Sequence, residues 1–570
     1  MENEEVWLEI RKGGDFEAMA AELSLSPVVT RLLVNRGLKN TEEMRLFLEG
    51  NEQHDPALLK DGEKAAELLF KKIGEGRRIR IIGDYDIDGI NASYILYRGL
   101  KRAGGRADIR IPDRIRDGYG MNLSMVEEAK AEGIDTILTC DNGISALAEI
   151  KRAKELGLTV ILTDHHDIPF EDTHEGRTYI LPEADAVVNP KQTDCAYPFK
   201  GLCGAAIAMK VIQLLYRRAA IPEEEALVFL ENAGFATVGD VMDLCGENRT
   251  LVVKGLKQLE ATKNPGLSAL IRNTDLAGKE LSAYHVGFVL GPCLNAAGRL
   301  DSANRALDLL LSETYEEADR SALLLTELNA KRKAMTEEGV LEAERLIEAE
   351  GLSASKVWVI YLPNCHESLA GIVAGRIREK YHRPVFVLTR GKEGIKGSGR
   401  SIEEYSMFEE LTKVKDLLTR FGGHPMAAGL SLEEKNLEEL KRRLNENAAL
   451  TPEDLKKKLR FDMVLPLSKV TLSLAEEINR LEPFGKGNPS PLFAVRDVRV
   501  LSHAVIGKNR NVVRCVVEGQ GARLTGLWFH DPEPFLAAVL RGTPLSFVYY
   551  PKINEYNGER SVQLVIEAVR

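Results

Sequence analysis

Between residues 64 and 163 the hydrophobic pattern alternates between two periods. Apolar residues recur at helical spacing in EKAAELLFKKI, NASYILYRGLKRAG, SMVEEAKAEG and ALAEIKRAKELG. Short apolar runs lie between them or follow them: RIRIIG, RADIRIP, DTILTC and TVILTD. Strands that alternate with helices of this length are typical of βαβ units, whose crossover helices cover both faces of a parallel sheet. The pattern therefore predicts a parallel α/β domain.

The rest of the chain divides by the same criterion. Helical spacing dominates the start of the chain and the stretch 201–260, and a long charged helical stretch over 302–350 is expected to bridge two lobes. A second α/β segment begins at KVWVIYLP, and the tail is rich in short strands and turns, which favours a small OB-like barrel. The predicted domains are a helical lead-in (1–63), an α/β catalytic domain (64–250), a helical connector (251–350), a second α/β lobe (351–450) and a β-barrel (460–570).

Composition is that of a globular protein. The 570 residues are 44% hydrophobic and 28% charged, and no run of about 18 uncharged apolar residues predicts a membrane span. Seven scattered cysteines without a CxxC pair indicate a reduced compartment, and with the acidic N-terminus they predict a cytoplasmic location. The net charge of −10 means that any contact with nucleic acid must use a local basic groove.

Polar clusters follow the predicted strands at one end of the sheet. GDYDIDG (83–89) supplies Asp84, Asp86 and Asp88, TCDNGIS supplies Asp141, and TDHHD supplies His165 and His166. Each cluster alone has an ordinary explanation: a turn, a cap on a helix beginning near Asn91, or a surface His pair. Because the carboxyl ends of parallel strands meet at one edge, the clusters together predict a site there. That number of ligands could hold two metals about 3.5 to 4 Å apart, the arrangement that activates water for phosphoester hydrolysis. Asp240 in ATVGDVMDL is by itself an ordinary helix-start or turn aspartate.

Other catalytic motifs are missing from the sequence. It contains no GxxxxGK[ST] loop, no GxGxxG and no GxSxG elbow, which disfavours an ATPase, a dinucleotide enzyme and a serine hydrolase. The mixture of imidazoles and carboxylates suits Mn²⁺ or Zn²⁺, whereas Mg²⁺ alone favours oxygen ligands.

The motifs in this order resemble the DHH phosphoesterase superfamily, and within it the bacterial single-stranded-DNA exonucleases. Asp164-His165-His166 matches the motif that names the superfamily, and GGHPMAAG (422–429) resembles its DHHA1 domain. NAAGRL, GIVAGR, KGSGRS and LEPFGKGNPSPLF also match. The resemblance implies two α/β lobes, a DHH and a DHHA1 domain, joined by a long helix, with an OB-like barrel behind them.

The resemblance also implies residue roles. Two divalent ions, Mn²⁺ or Mg²⁺, would be held by Asp86, Asp88, Asp141, His165 and Asp240, with Asp141 as a bridge. Asp84 and His166 would assist catalysis, Asp84 directly or from behind the ligands and His166 as a ligand neighbour or proton donor. The expected contacts to a 5′-terminal phosphate are Arg114, Arg299, Ser398 and Arg400, and His424 would line the lobe interface. The alternative for each arginine is a solvated surface charge.

Three positions depart from the family pattern. Asn91 stands where a small hydroxyl residue is usual, and Glu367 and Ser368 replace a Pro-Gly pair after His366. None is a proposed ligand, but all three bear on the shape of the substrate path. In the tail, Lys508, Arg510 and Arg514 are followed by Trp528, Phe529, Tyr549 and Tyr550. These aromatic residues fit either a groove for single strands or the barrel core.

The expected activity is 5′-to-3′ hydrolysis of single-stranded DNA to mononucleotides, in recombination and repair. A DHH phosphodiesterase for short oligonucleotides or cyclic dinucleotides would share the metal chemistry, but it needs no barrel. A non-catalytic DNA or replication scaffold on the same fold would lack ligands that are present here. The resemblance alone suggests a single-strand-binding protein or a helicase as partner, and a clamp on one strand works as a monomer.

Overall fold

The computed structural model describes residues 5–173, 176–392 and 394–570. The chain begins with a strand, which the sequence pattern did not predict, followed by three helices whose first turns are capped by Asp15, Ser26 and Asn40. These elements are β1 (Val6–Glu9), α1 (Phe16–Leu23), α2 (Pro27–Asn35) and α3 (Thr41–Glu49). None of the helices in the described ranges has the length and apolar character needed to cross a membrane.

The first lobe is built on a five-stranded, fully parallel sheet. Its elements are α4 (Gly62–Gly74), β2 (Arg78–Ile82), α5 (Ile87–Arg102), β3 (Arg106–Arg110), α6 (Leu123–Ala131), β4 (Thr136–Cys140), α7 (Leu147–Glu155), β5 (Thr159–Thr163), β6 (Phe170–Thr173), β7 (Gly176–Tyr179), β8 (Ala186–Val188), α8 (Gly204–Arg218) and α9 (Leu230–Gly239). The sheet order is β3-β2-β4-β5-β8, and separate apolar cores cover its two faces. The predicted parallel α/β fold is confirmed, and β2, β4 and β5 end side by side.

The connector is helical and ends in one helix of 35 residues. It contains α10 (Gly246–Glu260), α11 (Pro265–Asn273), a π-helical turn (His285–Leu290), α12 (Gly291–Leu300), α13 (Asn304–Leu311) and α14 (Tyr315–Ala349). Ala318, Ala322 and Leu325 of α14 pack into a core shared with the first lobe, whereas Ala343 and Ile347 pack into the second lobe. The expected bridging helix is therefore present.

The second lobe carries a mixed sheet in the order β12-β13-β11-β10-β9. Its elements are β9 (Trp358–Tyr361), α15 (Ala370–Tyr381), β10 (Val385–Arg390), β11 (Ile395–Arg400), α16 (Met407–Lys413), β12 (Leu418–His424), β13 (Ala427–Leu432) and α17 (Leu437–Asn447). β9 and β10 run parallel, and the other neighbours run antiparallel.

The C-terminal domain is a closed barrel. It comprises β14 (Lys458–Phe461), β15 (Met463–Val464), α18 (Leu472–Asn479), β16 (Phe493–Ile506), β17 (Val512–Gly519), β18 (Ala522–Trp528), α19 (Pro532–Leu540), β19 (Leu545–Tyr556) and β20 (Glu559–Val569). The ring runs β16-β17-β18-β20-β19 and closes through β16 and β19. A five-stranded closed barrel of this kind confirms the OB-like prediction. Outside the ring, β14 pairs in parallel with β1, which ties the lead-in to this domain.

A buried charged network joins the first lobe to the connector. Lys210 Nζ donates to Glu247 Oε1 at 2.6 Å and to the His54 carbonyl at 3.2 Å, and the Tyr197 hydroxyl donates to Glu247 Oε2. Lys210 and Glu247 are both buried. Because each charge depends on the other for compensation, losing one partner leaves the other buried alone.

We expect Lys210→Met to lower the free energy of unfolding by about 3–5 kcal/mol, the cost of leaving a buried charge without its partner. The measurement is the urea midpoint of the first unfolding transition. Lys60→Met is the matched control, because Lys60 pairs with the exposed Asp194 and should leave the midpoint near that of the wild type. Equal shifts of the urea midpoint in both variants would contradict a stabilising role for the buried Lys210–Glu247 pair.

Candidate active site

The loop after β2 is shaped by Asp86. Its Oδ1 atom accepts hydrogen bonds from the backbone of Asp88 at 2.9 Å and Gly89 at 3.1 Å, so Asp86 is the N-cap of α5. The helix consequently begins at Ile87, and the predicted start near Asn91 is wrong. A Cβ on Gly89 would lie 2.5 Å from the Asp84 carbonyl oxygen, so only glycine permits this tight loop. Asp86 is therefore both the N-cap of α5 and a candidate metal ligand.

Asp88 is tied to a second helix. Its carboxylate accepts from the backbone N–H groups of Gly204 at 2.6 Å and Ala205 at 2.7 Å, the first residues of α8. Those N–H groups have no partner within their own helix, and the helix dipole favours a negative charge there. Asp88 is thus held in a buried position at the edge of the sheet.

Asp141 directly follows β4 in a left-handed backbone conformation, with φ of 60°. Its Oδ1 atom lies 3.0 Å from His165 Nε2, without hydrogen-bond geometry. A Cβ on Gly204 would lie 2.7 Å from the Asp141 Cβ, so glycine is needed at the start of α8 for this approach. The Asp-Asn-Gly segment is therefore a turn that also directs the Asp141 carboxylate toward His165.

Asp164 orients the two histidines after β5. One carboxylate oxygen accepts from the backbone N–H of His165 at 2.7 Å and of His166 at 3.1 Å, and it lies 2.8 Å from His166 Nδ1. The other oxygen accepts from Ile144 N. With the loop held in this way, His165 Nε2 lies 3.6 Å from Asp88 Oδ2 and 3.7 Å from Asp240 Oδ2.

The side chains that follow the strands, together with Asp240 at the end of α9, form three overlapping groups. In each group the candidate ligand atoms all lie within 4.8 Å of one another. The groups are Asp84 with Asp86 and Asp141, Asp88 with His165 and Asp240, and Asp141 with His165 and His166. All six expected metal-site carboxylates and imidazoles, Asp84 included, therefore meet at one edge of the sheet, and Asp141 belongs to two groups.

Several buried polar atoms at this edge have no hydrogen-bond partner. They are Asp84 Oδ1, Asp141 Oδ1 and both ring nitrogens of His165. Buried polar atoms are normally paired, and these are oxygen and imidazole donors of the type that divalent cations take. The residues present therefore fit the two divalent ions that the sequence predicts.

The pKa values of the site residues also indicate a site for cations. Burial and then repulsion by Asp86 raise the pKa of Asp84 to about 8 and that of Asp88 to about 6. Burial and neighbouring aspartates also raise the pKa of Asp240 to about 8 and that of Asp141 well above its usual range. Burial lowers the pKa of His165 to about 3, which keeps the imidazole neutral and able to coordinate. A cation at this position would remove the repulsion between the carboxylates.

Tyr119 is a neighbour of the site that the sequence did not reveal. Its hydroxyl donates to the Asp141 carbonyl at 3.0 Å and lies 3.2 Å from the ring nitrogens of His166. His166 is partly exposed, and although burial opposes its charge, the hydrogen bond with Asp164 raises its pKa to about 9. The Gly118-Tyr119-Gly120 segment after β3 was the available signal, since both glycines have positive φ.

Helix α12 of the connector packs on the loop after β2, residues 83–89, which we call the metal loop. Asn295 Oδ1 accepts from Ile87 N at 3.0 Å, immediately beside Asp86. A Cβ on Gly298 would lie 2.8 Å from the Tyr85 carbonyl oxygen, so the helix packs directly on the loop. The NAAGRL motif therefore positions the loop that carries Asp84, Asp86 and Asp88.

Arginines gather beside this loop. Arg114 stacks over the Tyr85 ring at 4.0 Å, and Arg299 Nη1 donates to the Ser368 carbonyl at 2.8 Å. Burial and the charges of Arg114, Arg332 and Arg400 lower the pKa of Arg299 to about 10. Within the described ranges, none of these four guanidiniums lies within 4 Å of a carboxylate. Cations held together without a direct ion-pair partner form a site for an anion, and Arg332 is a member that the sequence analysis missed.

The second lobe contributes Ser398, Arg400 and His424. Ser398 and Arg400 are two residues apart on β11 and therefore share one face of the sheet. A Cβ on Gly371 would lie 2.9 Å from Arg400 Nη2, so the small residue leaves room for the guanidinium. His424 is exposed at the end of β12, and its charge, after that of Lys191, lowers the pKa of Asp167 next to the two histidines. His424 thus lies on the side of the second lobe that is near Asp167 of the first lobe.

Comparison with known proteins agrees with this geometry. The sequence matches the family models for the DHH family N-terminal domain (residues 78–232), the DHHA1 domain (354–449) and the RecJ OB domain (461–568). It is 35% identical over 557 residues to the single-stranded-DNA-specific exonuclease RecJ of Bacillus subtilis, covering 97% of this chain and 69% of that protein. It is 34% identical to the Escherichia coli protein of the same name, covering 99% of both.

The chain belongs to the RecJ family. Its fold is similar to a crystal structure of RecJ from Thermus thermophilus in complex with Mn²⁺, with a TM-score of 0.85 at 29% identity, covering 100% of this chain and 80% of that one. A second crystal structure, of exonuclease RecJ bound to manganese, is 36% identical with a TM-score of 0.60, covering 70% of this chain and 96% of that one.

The three departures from the RecJ pattern all have partners. Asn91 is buried, donates to the Ile87 carbonyl at 2.7 Å and accepts from Asn232 at 2.9 Å, so it joins α5 to α9. Glu367 pairs with Lys396 at 3.0 Å. Ser368 contacts both Arg299 and His366.

A cleft of about 1330 Å³ runs from the Asp240 side of the site, past the π-helical turn, to the barrel of this RecJ-family chain. Tyr284 and Phe288 on the turn are 63% and 67% exposed, and their rings stack at 5.1 Å. Across the cleft Phe529 is 52% exposed, and Tyr550 and Lys552 also line the wall.

Of the barrel aromatics, Trp528 and Tyr549 are core residues, whereas Phe529 is free to meet a ligand. Lys508, Arg510 and Arg514 are exposed on the β16–β17 hairpin and the β17 strand.

We expect Asn295→Ala to weaken Mn²⁺ binding about 10-fold, because partners behind the ligands orient them and their loss typically costs 10–100-fold. The loss of free Mn²⁺ signal in an electron paramagnetic resonance titration measures this. Asn304→Ala, on the exposed start of α13, is the matched control and should bind like the wild type. Unchanged Mn²⁺ affinity in Asn295→Ala would refute the role of α12.

Proposed function

We propose that this RecJ-family chain hydrolyses single-stranded DNA from its 5′ end to mononucleotides, using two divalent ions, Mn²⁺ or Mg²⁺. The observation that carries the proposal is the meeting of buried, unpartnered carboxylate and imidazole atoms with a cluster of uncompensated arginines. A phosphodiester needs both, since ions stabilise its reacting oxygens and guanidiniums hold its phosphates. The names of the relatives, single-stranded-DNA-specific exonucleases, support it.

The proposal assigns metal binding to one set of side chains: Asp86, Asp88, Asp141, His165 and Asp240. Asp141 and His165 each belong to two of the three groups at the site, and Asp141 is the proposed bridge. Bound ions supply an activated water and stabilise the charge that develops on the phosphate. Asp84 lies in one group with Asp86 and Asp141, and its carboxylate adds negative charge for the ions.

His166 is the proposed proton donor to the leaving oxygen. Asp164 holds its Nδ1 side at 2.8 Å and favours the protonated imidazole. Nε2, which lies 3.2 Å from the Tyr119 hydroxyl, is the proposed donor to the substrate. Tyr119 lies against the same ring and fixes its tilt. His166 therefore acts beside the ligands, in agreement with its partial exposure.

The arginine cluster is the proposed site for the 5′-terminal phosphate, formed by Arg114, Arg299, Ser398 and Arg400 with His424 at the rim. Arg114 stacks on Tyr85, and Tyr85 lies between Asp84 and Asp86. A terminal phosphate bound there is adjacent to the metal loop. Cleavage would then fall close to the end of the strand, which supports release of mononucleotides from the 5′ end.

The cleft toward the barrel is the proposed path for the remaining strand. Exposed rings of Tyr284, Phe288 and Phe529 offer faces on which unpaired bases stack, and Lys552 offers charge for phosphates. Bases already paired in a duplex cannot use these faces. This supports selectivity for single strands.

The same path weighs against a phosphodiesterase for short oligonucleotides or cyclic dinucleotides, which needs neither barrel nor cleft. A scaffold without catalysis is disfavoured because every proposed ligand is present. We further propose a monomer, since one chain forms both walls of the cleft, and a reducing cytoplasm, since all seven cysteines carry free thiols. A single-strand-binding protein or helicase as partner rests on family resemblance alone.

The test is incubation with Mn²⁺ of single-stranded DNA labelled at either end, beside its duplex, short oligonucleotides and a cyclic dinucleotide. We expect the 5′ label to appear first as a mononucleotide, from single strands only, and Asp141→Ala to lose at least 1,000-fold in rate, on the order of the loss when a group essential to catalysis is removed. Asp243→Ala, an exposed aspartate near the cleft, controls for general damage. Initial release of the 3′ label, or hydrolysis confined to the short substrates, would overturn the proposal.

For the phosphate pocket we expect Arg400→Ala to raise KM for 5′-phosphorylated strands about 10- to 100-fold, the worth of a charged hydrogen bond, with a smaller change in kcat. Strands with a 5′-hydroxyl should be affected little. The measurement is initial rate against substrate concentration for both ends. Arg390→Ala, on the exposed end of neighbouring β10, is the control. A loss shared equally by both substrates would show that Arg400 does not read the phosphate.

A further inference from the structure

Arg299 and Ser368 form a reciprocal pair between the two halves of the site. Arg299 ends α12 on the connector, and Ser368 precedes α15 in the second lobe. The guanidinium Nη1 donates to the Ser368 carbonyl at 2.8 Å, and the Ser368 hydroxyl donates to the Arg299 carbonyl at 3.0 Å. Two hydrogen bonds in opposite directions fix both the backbone and the side chain of Arg299, and we name this pair the Arg299–Ser368 clasp.

The clasp controls where the guanidinium points. Among the described residues, the Ser368 carbonyl is the one hydrogen-bond acceptor that Arg299 has. A guanidinium has five N–H donors, so four are left for an anion. The positive charges of Arg114, Arg332 and Arg400 push against Arg299, and without a fixed acceptor its long side chain would move away from them.

The Ser368 hydroxyl has a second partner. His366 Nδ1 lies 2.7 Å from Oγ and accepts from the Ser368 backbone N–H at 3.3 Å, so the serine hydroxyl lies between the ring nitrogen and the Arg299 carbonyl. Ser368 is 9% exposed, so water competes little for these bonds. Independent bonds hold the loop itself, from Thr389 Oγ1 to the Cys365 carbonyl and from Leu369 N to the His366 carbonyl. Removing the hydroxyl should therefore leave in place both the loop and the Ser368 carbonyl that accepts from the guanidinium. It should free the Arg299 carbonyl at the end of α12, which loosens the backbone from which the guanidinium extends.

We propose that Ser368 is a positioning residue for recognition of the 5′-terminal phosphate. It acts through Arg299, and it makes the pocket complete only when the second lobe lies against α12. The inference rests on the proposed function, because it takes the arginine cluster as the 5′-phosphate site. It adds that a serine outside that cluster sets the preference for a phosphorylated end.

The experiment compares Ser368→Ala, Ser368→Thr and Thr389→Val on strands with a 5′-phosphate and a 5′-hydroxyl. Ser368→Ala should raise KM for the phosphorylated strand about 5-fold, with kcat within about twofold and the hydroxyl strand unchanged, the direction expected when uniform binding is lost. Ser368→Thr keeps the hydroxyl and should restore KM. Thr389→Val loosens the same loop without touching Arg299 and should keep the phosphate preference.

A double-mutant cycle with Arg299→Ala separates the possible outcomes. If Ser368 acts through Arg299, Ser368→Ala should add nothing in the Arg299→Ala background. Three outcomes would overturn the role of Ser368 and leave the phosphate pocket standing. They are additive effects of the two substitutions, equal losses on both substrates, and no effect of Ser368→Ala while Arg299→Ala abolishes the preference. If Arg299→Ala retains the full preference for phosphorylated strands, the proposed phosphate pocket falls as well.

Discussion

Mutual repulsion among buried carboxylates is the constraint around which this molecule is arranged. Asp84, Asp88 and Asp141 are all nearly inaccessible to water, and burial followed by repulsion from neighbouring aspartates raises the pKa of each. An arrangement of this kind is unfavourable unless charge compensation is supplied. The protein supplies part of it with the first N–H groups of α8, which donate to Asp88, and leaves the rest to cations. Glycines at 89 and 204 allow the backbone to come this close.

Helix α12 explains how the metal loop and the arginine cluster keep a constant separation. Asn295 holds the N-terminus of α5, Gly298 packs on Tyr85, and Arg299 reaches the second lobe. Residues 295 and 299 are one helical turn apart, which fixes about 6 Å along the axis. A rigid helix thus sets the distance between the metal loop and the arginine cluster, whereas a loop would let that distance vary.

The sequence predicted most of the fold and the composition of the site, for physical reasons that can be named. Strand ends in a parallel sheet converge whatever the details, so Asp84, Asp141 and His165 could be brought together from periodicity alone. Asp240 came from resemblance, because it ends a helix and no strand pattern points to it. Tyr119, Asn295 and Ser368 act through contacts between segments far apart in the chain, which no local pattern contains. Trp528 and Phe529 were indistinguishable in sequence because both are aromatic residues where one strand ends, and the tertiary packing decides which is buried.

The pairing of β1 with β14 has a consequence for biosynthesis. Trp7 lies opposite Leu459, and Leu32, Leu33 and Phe47 share one core with Phe493 and Phe547 of the barrel. At roughly 5–20 residues per second, a ribosome needs about 20–90 s to cover the intervening 450 or so residues. For that interval the apolar sides of α2 and α3 lack their partners in the barrel. These helices are therefore among the last to complete their packing, and they need protection on the nascent chain.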